Sequence, residues 1–214
     1  MLIIGGGGHA KVVIEALQAA GFPPPLGILD PAPPTPLVLG VPVLGGNELL
    51  EQLRARGAGA AVVALGGNRL RQDMGERLAA LGFRLPPVVH PAAQLSPSAR
   101  VAEGATVMAR ACIGPDAAVG WLAIVNTGAI VEHDGRLGQA AHVAPGSVLA
   151  GGVVVGDRAL VGVGSAVRPG IVIGDDAVGG AGAAVVRDVP SGATVGGVPA
   201  AGLRAARQGE SGRA

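Results

Sequence analysis

The chain has 214 residues, room for one large or two small domains, and its 16 basic and 15 acidic side chains nearly cancel. With net charge +1 and no run of Lys or Arg, it makes a poor nucleic-acid binder. Aromatic residues are 1%, so any core must be built from Val, Ile, Leu and Ala, and the one cysteine, Cys112, excludes an internal disulfide.

Leu2-Ile3-Ile4 reads as a short buried strand without the basic n-region of a secretory signal, so a cytoplasmic protein is expected. A Gly5-Gly6-Gly7-Gly8-His9 turn follows, then a helix from Ala10 to Ala20 with apolar spacing at Val13, Leu17 and Ala20, stopped by Gly21. Leu26 to Leu29 is a second strand ending in Asp30, after which Pro31, Pro33, Pro34 and Pro36 forbid regular structure. Asn47 is placed to cap a helix running to about Arg56. Ala60 to Leu65 is a third strand, Gly66-Gly67-Asn68 a turn, Arg69 to Leu81 a helix ended by Gly82, and Leu85 to Val89 a last strand. This alternation predicts a small open parallel α/β sheet over residues 1–90.

The first turn, Gly5-x-Gly7-x-x-Ala10 with Asp30 twenty residues on, fits a dinucleotide fingerprint when read alone. A full dinucleotide fold needs a second mononucleotide half, and this chain does not continue that way. The turn requires only a nucleotide: glycines admit a phosphate or sugar to the backbone, a helix start favours anions, and an acid after strand two accepts a hydrogen bond from a ribose or base.

From Leu95 to Pro190 a six-residue pattern repeats sixteen times without a gap. Its first position is a branched aliphatic from Leu95, Val101 and Val107 through Val185, failing only at Gly179, and its fifth is small or aliphatic. Gly at about every sixth residue is incompatible with a helix, and strand alternation alone does not produce a strict six. The period matches a hexapeptide β-helix, so residues 91–202 are read as a solenoid domain and 203–214 as a tail. Leu137 to Gly156 lacks Asp, Glu, Lys and Arg, but its twenty residues keep the six-residue register and include Gln139, His142, Pro145 and five glycines. No membrane span is expected there.

The repeat resembles that of the left-handed hexapeptide acyltransferases, in which three hexads make one triangular coil. The chain as a whole resembles the sugar O- and N-acyltransferases of the NeuD/PglD-like family, which modify sialic acids and bacterial amino sugars. Matching segments are Gly5-Gly-Gly-Gly-His-Ala-Lys-Val-Val-Ile-Glu15, Leu65-Gly-Gly-Asn-Arg-Leu-Arg71, His90-Pro91, Asn126-Thr-Gly-Ala-Ile-Val-Glu-His-Asp134, His142 with Ala144-Pro145-Gly146, and Gly197-Val-Pro-Ala200. It looks most like members that N-acetylate nucleotide-linked 4-amino-4,6-dideoxy sugars for bacterial surface glycans. The resemblance leaves UDP, GDP and CMP, and N- or O-acetylation, open.

The resemblance implies acetyl-CoA as co-substrate, a nucleotide-linked amino sugar as acceptor and a homotrimer with sites between neighbouring solenoids. It makes His133 the general base, with Asp134 orienting the ring; the family often has Glu there. Imidazole suits proton abstraction at neutral pH, and an adjacent carboxylate stabilises its protonated form. By the same resemblance His142 binds the acyl end of the coenzyme, and Val163 and Ala181 give it backbone contacts. Gly7, Gly8, His9, Asp30, Gly66 and Asn126 face the nucleotide sugar. Three hexads per coil put Gly151, eighteen residues after 133, directly over His133, where its amide is placed to meet the oxyanion. A γ-class carbonic anhydrase-like zinc site would need two histidines five apart, whereas His133 and His142 are nine apart and His9 and His90 fall outside the hexads; no metal is expected. A non-catalytic sugar-nucleotide-binding trimer would share the scaffold, but here the catalytic position carries His133-Asp134.

Overall fold

The computed structural model describes residues 1–203, so of the expected tail only Leu203 lies inside the described residues. The N-terminal sheet contains β1 (Leu2–Ile4), β2 (Gly27–Leu29), β3 (Leu37–Val38), β4 (Val41–Gly45) and β5 (Ala61–Val63), in the order β3-β4-β2-β1-β5. The strands β4, β2, β1 and β5 are parallel, each link but one joined by a helical crossover, as parallel pairing requires. Helix α1 (Gly8–Ala19) buries Ala10, Val13, Ile14 and Leu17 on one stripe. Helix α3 (Asn68–Ala80) buries Arg71, Met74, Gly75 and Leu78, while α2 (Leu50–Ala55) is a short surface helix.

Three expectations for this half are corrected. The sheet is not purely parallel: β3 pairs antiparallel with β4, a hairpin hidden in the sequence because its strands are short and follow the proline run. Asn47 does not cap a helix. A 3-10 turn, Asn47–Leu49, precedes α2, Gly46 occupies the cap position, and the Asn47 Oδ1 is buried without a partner. The strand expected over Leu85 to Val89 reduces to Val88–Val89, and it pairs with Thr106–Val107 of the solenoid rather than with the α/β sheet. Its apolar content is that of a buried strand of either kind; only the pairing tells which.

The hexads form a left-handed β-helix with three flat faces. Face one runs from Gln94–Leu95 to Ala184–Val185, face two from Arg100–Val101 to Val172–Ile173, and face three from Val88–Val89 to Ala201–Gly202. Strands on one face are eighteen residues apart, as in Cys112↔Ile130, Ala118↔Arg136 and Ile124↔His142. First- and fifth-position side chains such as Val107, Ala111, Val125 and Ala129 fill the interior and are fully buried. Each buried Val contributes about 1.5–3 kcal/mol.

The corners explain the rest of the code. At the fourth position of every hexad from Gly104 to Gly182 the backbone is left-handed, with φ between +50° and +71°, whether the residue is Gly, Asp, Arg, Leu or Ala. The register breaks at the C-terminal end, where Ile173↔Val189 and Val178↔Thr194 are sixteen apart, so the sixteenth hexad does not close a full side. The chain ends in an antiparallel pair, Thr194–Gly196 with Ala201–Gly202.

Helix α3 sits on the corner between faces two and three. Leu122 and Ala140 from that corner join the core of the α/β domain, and Met108 packs with α1. Gly75 allows this close approach: a Cβ there would overlap the Leu122 side chain, which would have to shift. The Asn68 Nδ2 donates to the Arg158 carbonyl at 2.7 Å, and Arg69 and Arg158 both pair with Asp176. Among the described residues no helix is long and apolar enough to cross a membrane.

Candidate active site

His133 and Asp134 occupy the corner between faces one and two, between strands Ile130–Val131 and Arg136–Leu137. Asp134 takes the left-handed corner conformation, φ +59°, which Asp tolerates better than most residues and which turns its carboxylate back to the preceding ring. The His133 Nδ1–H donates to the Asp134 Oδ2 at 2.8 Å; both side chains are open to solvent, 61% and 64% exposed. Because a carboxylate only accepts, the neutral imidazole keeps its lone pair on Nε2. The hydrogen bond to Asp134, helped by the charges of Asp134 and Glu132, raises the His133 pKa above its ordinary 6.5.

Gly151 lies on the next coil, as the eighteen-residue spacing requires. The Gly152 N–H donates to the His133 carbonyl at 2.8 Å, and a Cβ built on Gly151 would land on the His133 ring, against Nε2 and Cε1. Among the described residues the Gly151 N–H donates to no backbone carbonyl. The imidazole therefore lies in the space that a side chain at 151 would fill, beside an amide that makes no backbone hydrogen bond among the described residues. Such a corner can take a proton from a nucleophile and donate to a developing oxyanion.

A second polar group lies on face three and at its edge with the α/β domain. The Asn126 Oδ1 accepts the Thr127 N–H at 2.8 Å, which orients the amide so that its Nδ2 donates to the His142 Nε2 at 3.0 Å. His142 is thus the neutral Nδ1–H tautomer, and its pKa is pushed down to about 4, first by burial and then by Arg71 and His9. His9, in the first turn of α1, is likewise lowered to about 4 by burial and Arg71, and its Nε2 is buried without a partner. The sequence motifs thus bring His9, Asn126 and His142 together. Arg71, at the centre of this group, was missed as a functional residue; its signal is a charged side chain on the otherwise buried stripe of α3 with Met74 and Leu78.

Asp30 borders a cavity of about 310 Å³ at the carboxyl ends of β1, β2 and β5, lined also by Gly5, Pro31, Asn47, Leu65 and Met74. This is where open α/β sheets hold ligands. Both carboxylate oxygens of Asp30 already accept backbone N–H groups: Gly6 to Oδ2 at 2.6 Å and Ala32 to Oδ1 at 2.9 Å. Asp30 therefore fastens the glycine loop, and any ligand contact it makes uses its remaining lone pairs. Gly5 has φ +101°, and a Cβ on it would stand 2.9 Å from the Ala64 carbonyl oxygen. Gly7 and Gly66 are exposed in the loops beside it, and Gly8 is exposed at the first position of α1. Val163 and Ala181 stack at the corner between faces three and one, joined by the Gly182 N–H to the Val163 carbonyl at 2.8 Å.

The expected site residues thus fall into two groups. In a three-sided prism the corner between faces one and two lies opposite face three, so His133, Asp134 and Gly151 are on the far side of the solenoid from His142 and Asn126. One chain does not bring them together. Among the described residues no three His, Cys, Asp or Glu side chains converge to hold a metal ion.

A hexapeptide β-helix with a His–Asp pair at an open corner and a glycine-loop α/β domain docked on its side defines an acyltransferase of the left-handed β-helix class. The family description of the PglD N-terminal domain matches residues 1–78. The chain is 51% identical to a variant of perosamine N-acetyltransferase from Caulobacter crescentus solved with CoA and GDP-perosamine, with 95% of this chain and 96% of that one covered and a TM-score of 0.92. It is 40% identical to the acetyltransferase domain of PglB from Neisseria gonorrhoeae in complex with acetyl coenzyme A, covering 94% and 98%, with a TM-score of 0.90. WeeI from Acinetobacter baumannii, 22% identical over 94% and 98%, shares the fold at a TM-score of 0.79. None of the curated proteins matches the chain. The protein belongs to the NeuD/PglD-like sugar acetyltransferases, enzymes that use acetyl-CoA.

Proposed function

We propose that the protein transfers the acetyl group of acetyl-CoA to the amino group of a nucleotide-linked 4-amino-4,6-dideoxyhexose, GDP-perosamine being the acceptor that its 51% identical relative was solved with. The observation that carries this reading is the His133 Nε2, freed by the Nδ1–Asp134 bond and facing the side-chain-free Gly151. In the forward step Nε2 takes a proton from the acceptor amine as its nitrogen attacks the thioester carbonyl. Asp134 steadies the imidazolium, and the Gly151 amide donates to the tetrahedral oxyanion. Collapse expels the thiolate of CoA, which leaves as the thiol after protonation from His133.

The acceptor's nucleotide enters the cavity bordered by Asp30 and Gly5, with Gly7, Gly8, His9 and Gly66 along its phosphates and sugar and Asn126 near the sugar. The acyl end of the coenzyme meets His142, with Val163 and Ala181 along its arm. Because His133 and His142 stand on opposite sides of one prism, this reading requires the base of one subunit to face the His142 surface of a neighbour. A homotrimer closes that arrangement with three equivalent sites, residues 1–90 and 91–202 acting as nucleotide-sugar and acyl-transfer domains. We place the reaction in the cytoplasm, where acetyl-CoA is supplied.

The test is thiol release from acetyl-CoA with GDP-, UDP- and CMP-linked amino sugars. The expected result is turnover with a 4-amino-4,6-dideoxy sugar and a loss of roughly 10²–10⁴-fold in His133→Ala. Acetylation of hydroxyl sugars alone would replace this reading with O-acetylation, and near-native turnover of His133→Ala would remove His133 as the base.

A further inference from the structure

We propose that Arg71 is a positioning residue that fixes the nucleotide half of the site against the His142–Asn126 half. Its side chain is 1% exposed, yet among the described residues it pairs with no carboxylate. The guanidinium instead spends its donors on six acceptors from three places, the longest bond being from Nη2 to the Ala141 carbonyl at 3.5 Å. Nη1 donates to the Leu65 and Gly66 carbonyls at 3.0 and 3.1 Å, in the loop that borders the cavity beside Asp30. Nε donates to the Leu122 carbonyl at 2.9 Å, and Nη2 to the Ala140 carbonyl at 2.7 Å and the Asn68 Oδ1 at 2.9 Å. Leu122 leads into strand Ile124–Val125 and so to Asn126, while Ala140 stands two residues before His142.

One planar group therefore holds the floor of the nucleotide cavity and the two strands that carry Asn126 and His142. An apolar residue such as Met74 or Leu78 on the same stripe would avoid burying a charge but would leave these carbonyls, drawn from both domains, without donors. A lysine has one nitrogen, and cannot reach acceptors spread around a fork. The arrangement makes sense as a joint: the two half-sites come from different domains, and a misplacement of about 1 Å between them costs on the order of 10²-fold in rate. Burial first, and then the charge of this same cation, favours the neutral forms of both His9 and His142.

This inference rests on the acetyl-transfer reading, so its test includes a measurement that needs no turnover. Arg71→Met and Arg71→Lys are compared with the parent for kcat and KM toward each substrate, for thermal stability, and for His9 and His142 titration by NMR with ring-labelled histidine. The expected result is a loss of about 10²-fold in kcat/KM for the nucleotide sugar in both variants, carried mainly by kcat, with lysine giving no rescue. In Arg71→Met both imidazoles should titrate at higher pH. If the variants lose stability but their folded fraction keeps parental kcat/KM, Arg71 is structural only and the proposal fails. If neither histidine's titration moves in Arg71→Met, it fails whether or not the parent acetylates any sugar.

Discussion

The bond between the His133 Nδ1 and Asp134 determines how the base behaves with pH. On the proposed reading His133 acts as a base in its neutral form; because Asp134 raises its pKa above 6.5, the acid limb of kcat/KM should lie above that of a free imidazole. Asp134→Asn removes the charge that favours the imidazolium. The limb should then move to lower pH while the plateau rate falls, because an amide stabilises the protonated ring less well. A pH–rate profile that keeps its limb in place in Asp134→Asn would detach the aspartate from the base. Both residues and their order were legible in the sequence through the motif. Burial of His9 and His142, with pKa values of about 4 beside Arg71, was not, since it depends on how the α/β domain docks on the solenoid.

At the scale of the element, glycines at the second and fourth hexad positions do two different jobs. Gly120 follows the first-position aliphatic, and a Cβ on it would sit 2.5 Å from the Leu137 carbonyl oxygen of the next coil. Gly128 stands at a left-handed corner, φ +66°, with nothing within 4 Å of its Cβ position. Gly120→Ala should therefore push coils apart and cost about 1–3 kcal/mol or more, as overpacking does. Gly128→Ala should cost only the left-handed strain, about 1–2 kcal/mol, since Ala140 already adopts φ +50° in the native chain. Denaturant midpoints check the order, and a larger loss for Gly128→Ala would contradict it.

For the whole molecule, the opposite placement of His133 and His142 leads to a test that a monomeric site could not pass. If each site takes its base from one subunit and His142 from a neighbour, mixed trimers of His133→Ala and His142→Ala chains rebuild some complete sites. Random co-assembly of equal amounts restores roughly a quarter of the sites, although each variant alone is impaired. Light scattering should give the mass of a trimer for parent and mixture alike. Additive residual activity with no recovery on co-assembly would mean that the two residues do not share a site across an interface.

The sequence by itself determined a solenoid of six-residue sides, and the resemblance to the hexapeptide acyltransferases implied three such sides per coil; the strand register bears this out, so Gly151 over His133 follows from counting eighteen. It also placed the glycine loop, Asp30 and the helices α1 and α3, whose boundaries are written in local residue types. What it could not decide depends on contacts between distant segments. Val88–Val89 looks like any short buried strand until its partner, Thr106–Val107, is seen, and the β3–β4 hairpin lies behind prolines. The position of α3 on the corner at Leu122 and Ala140 was likewise decided only by tertiary structure, because it depends on the shape match at Gly75 and on carbonyls that Arg71 reaches 51 and 69 residues away. A backbone carbonyl carries no sequence signature, so the group that joins the two halves of the site becomes visible only when the chain is folded.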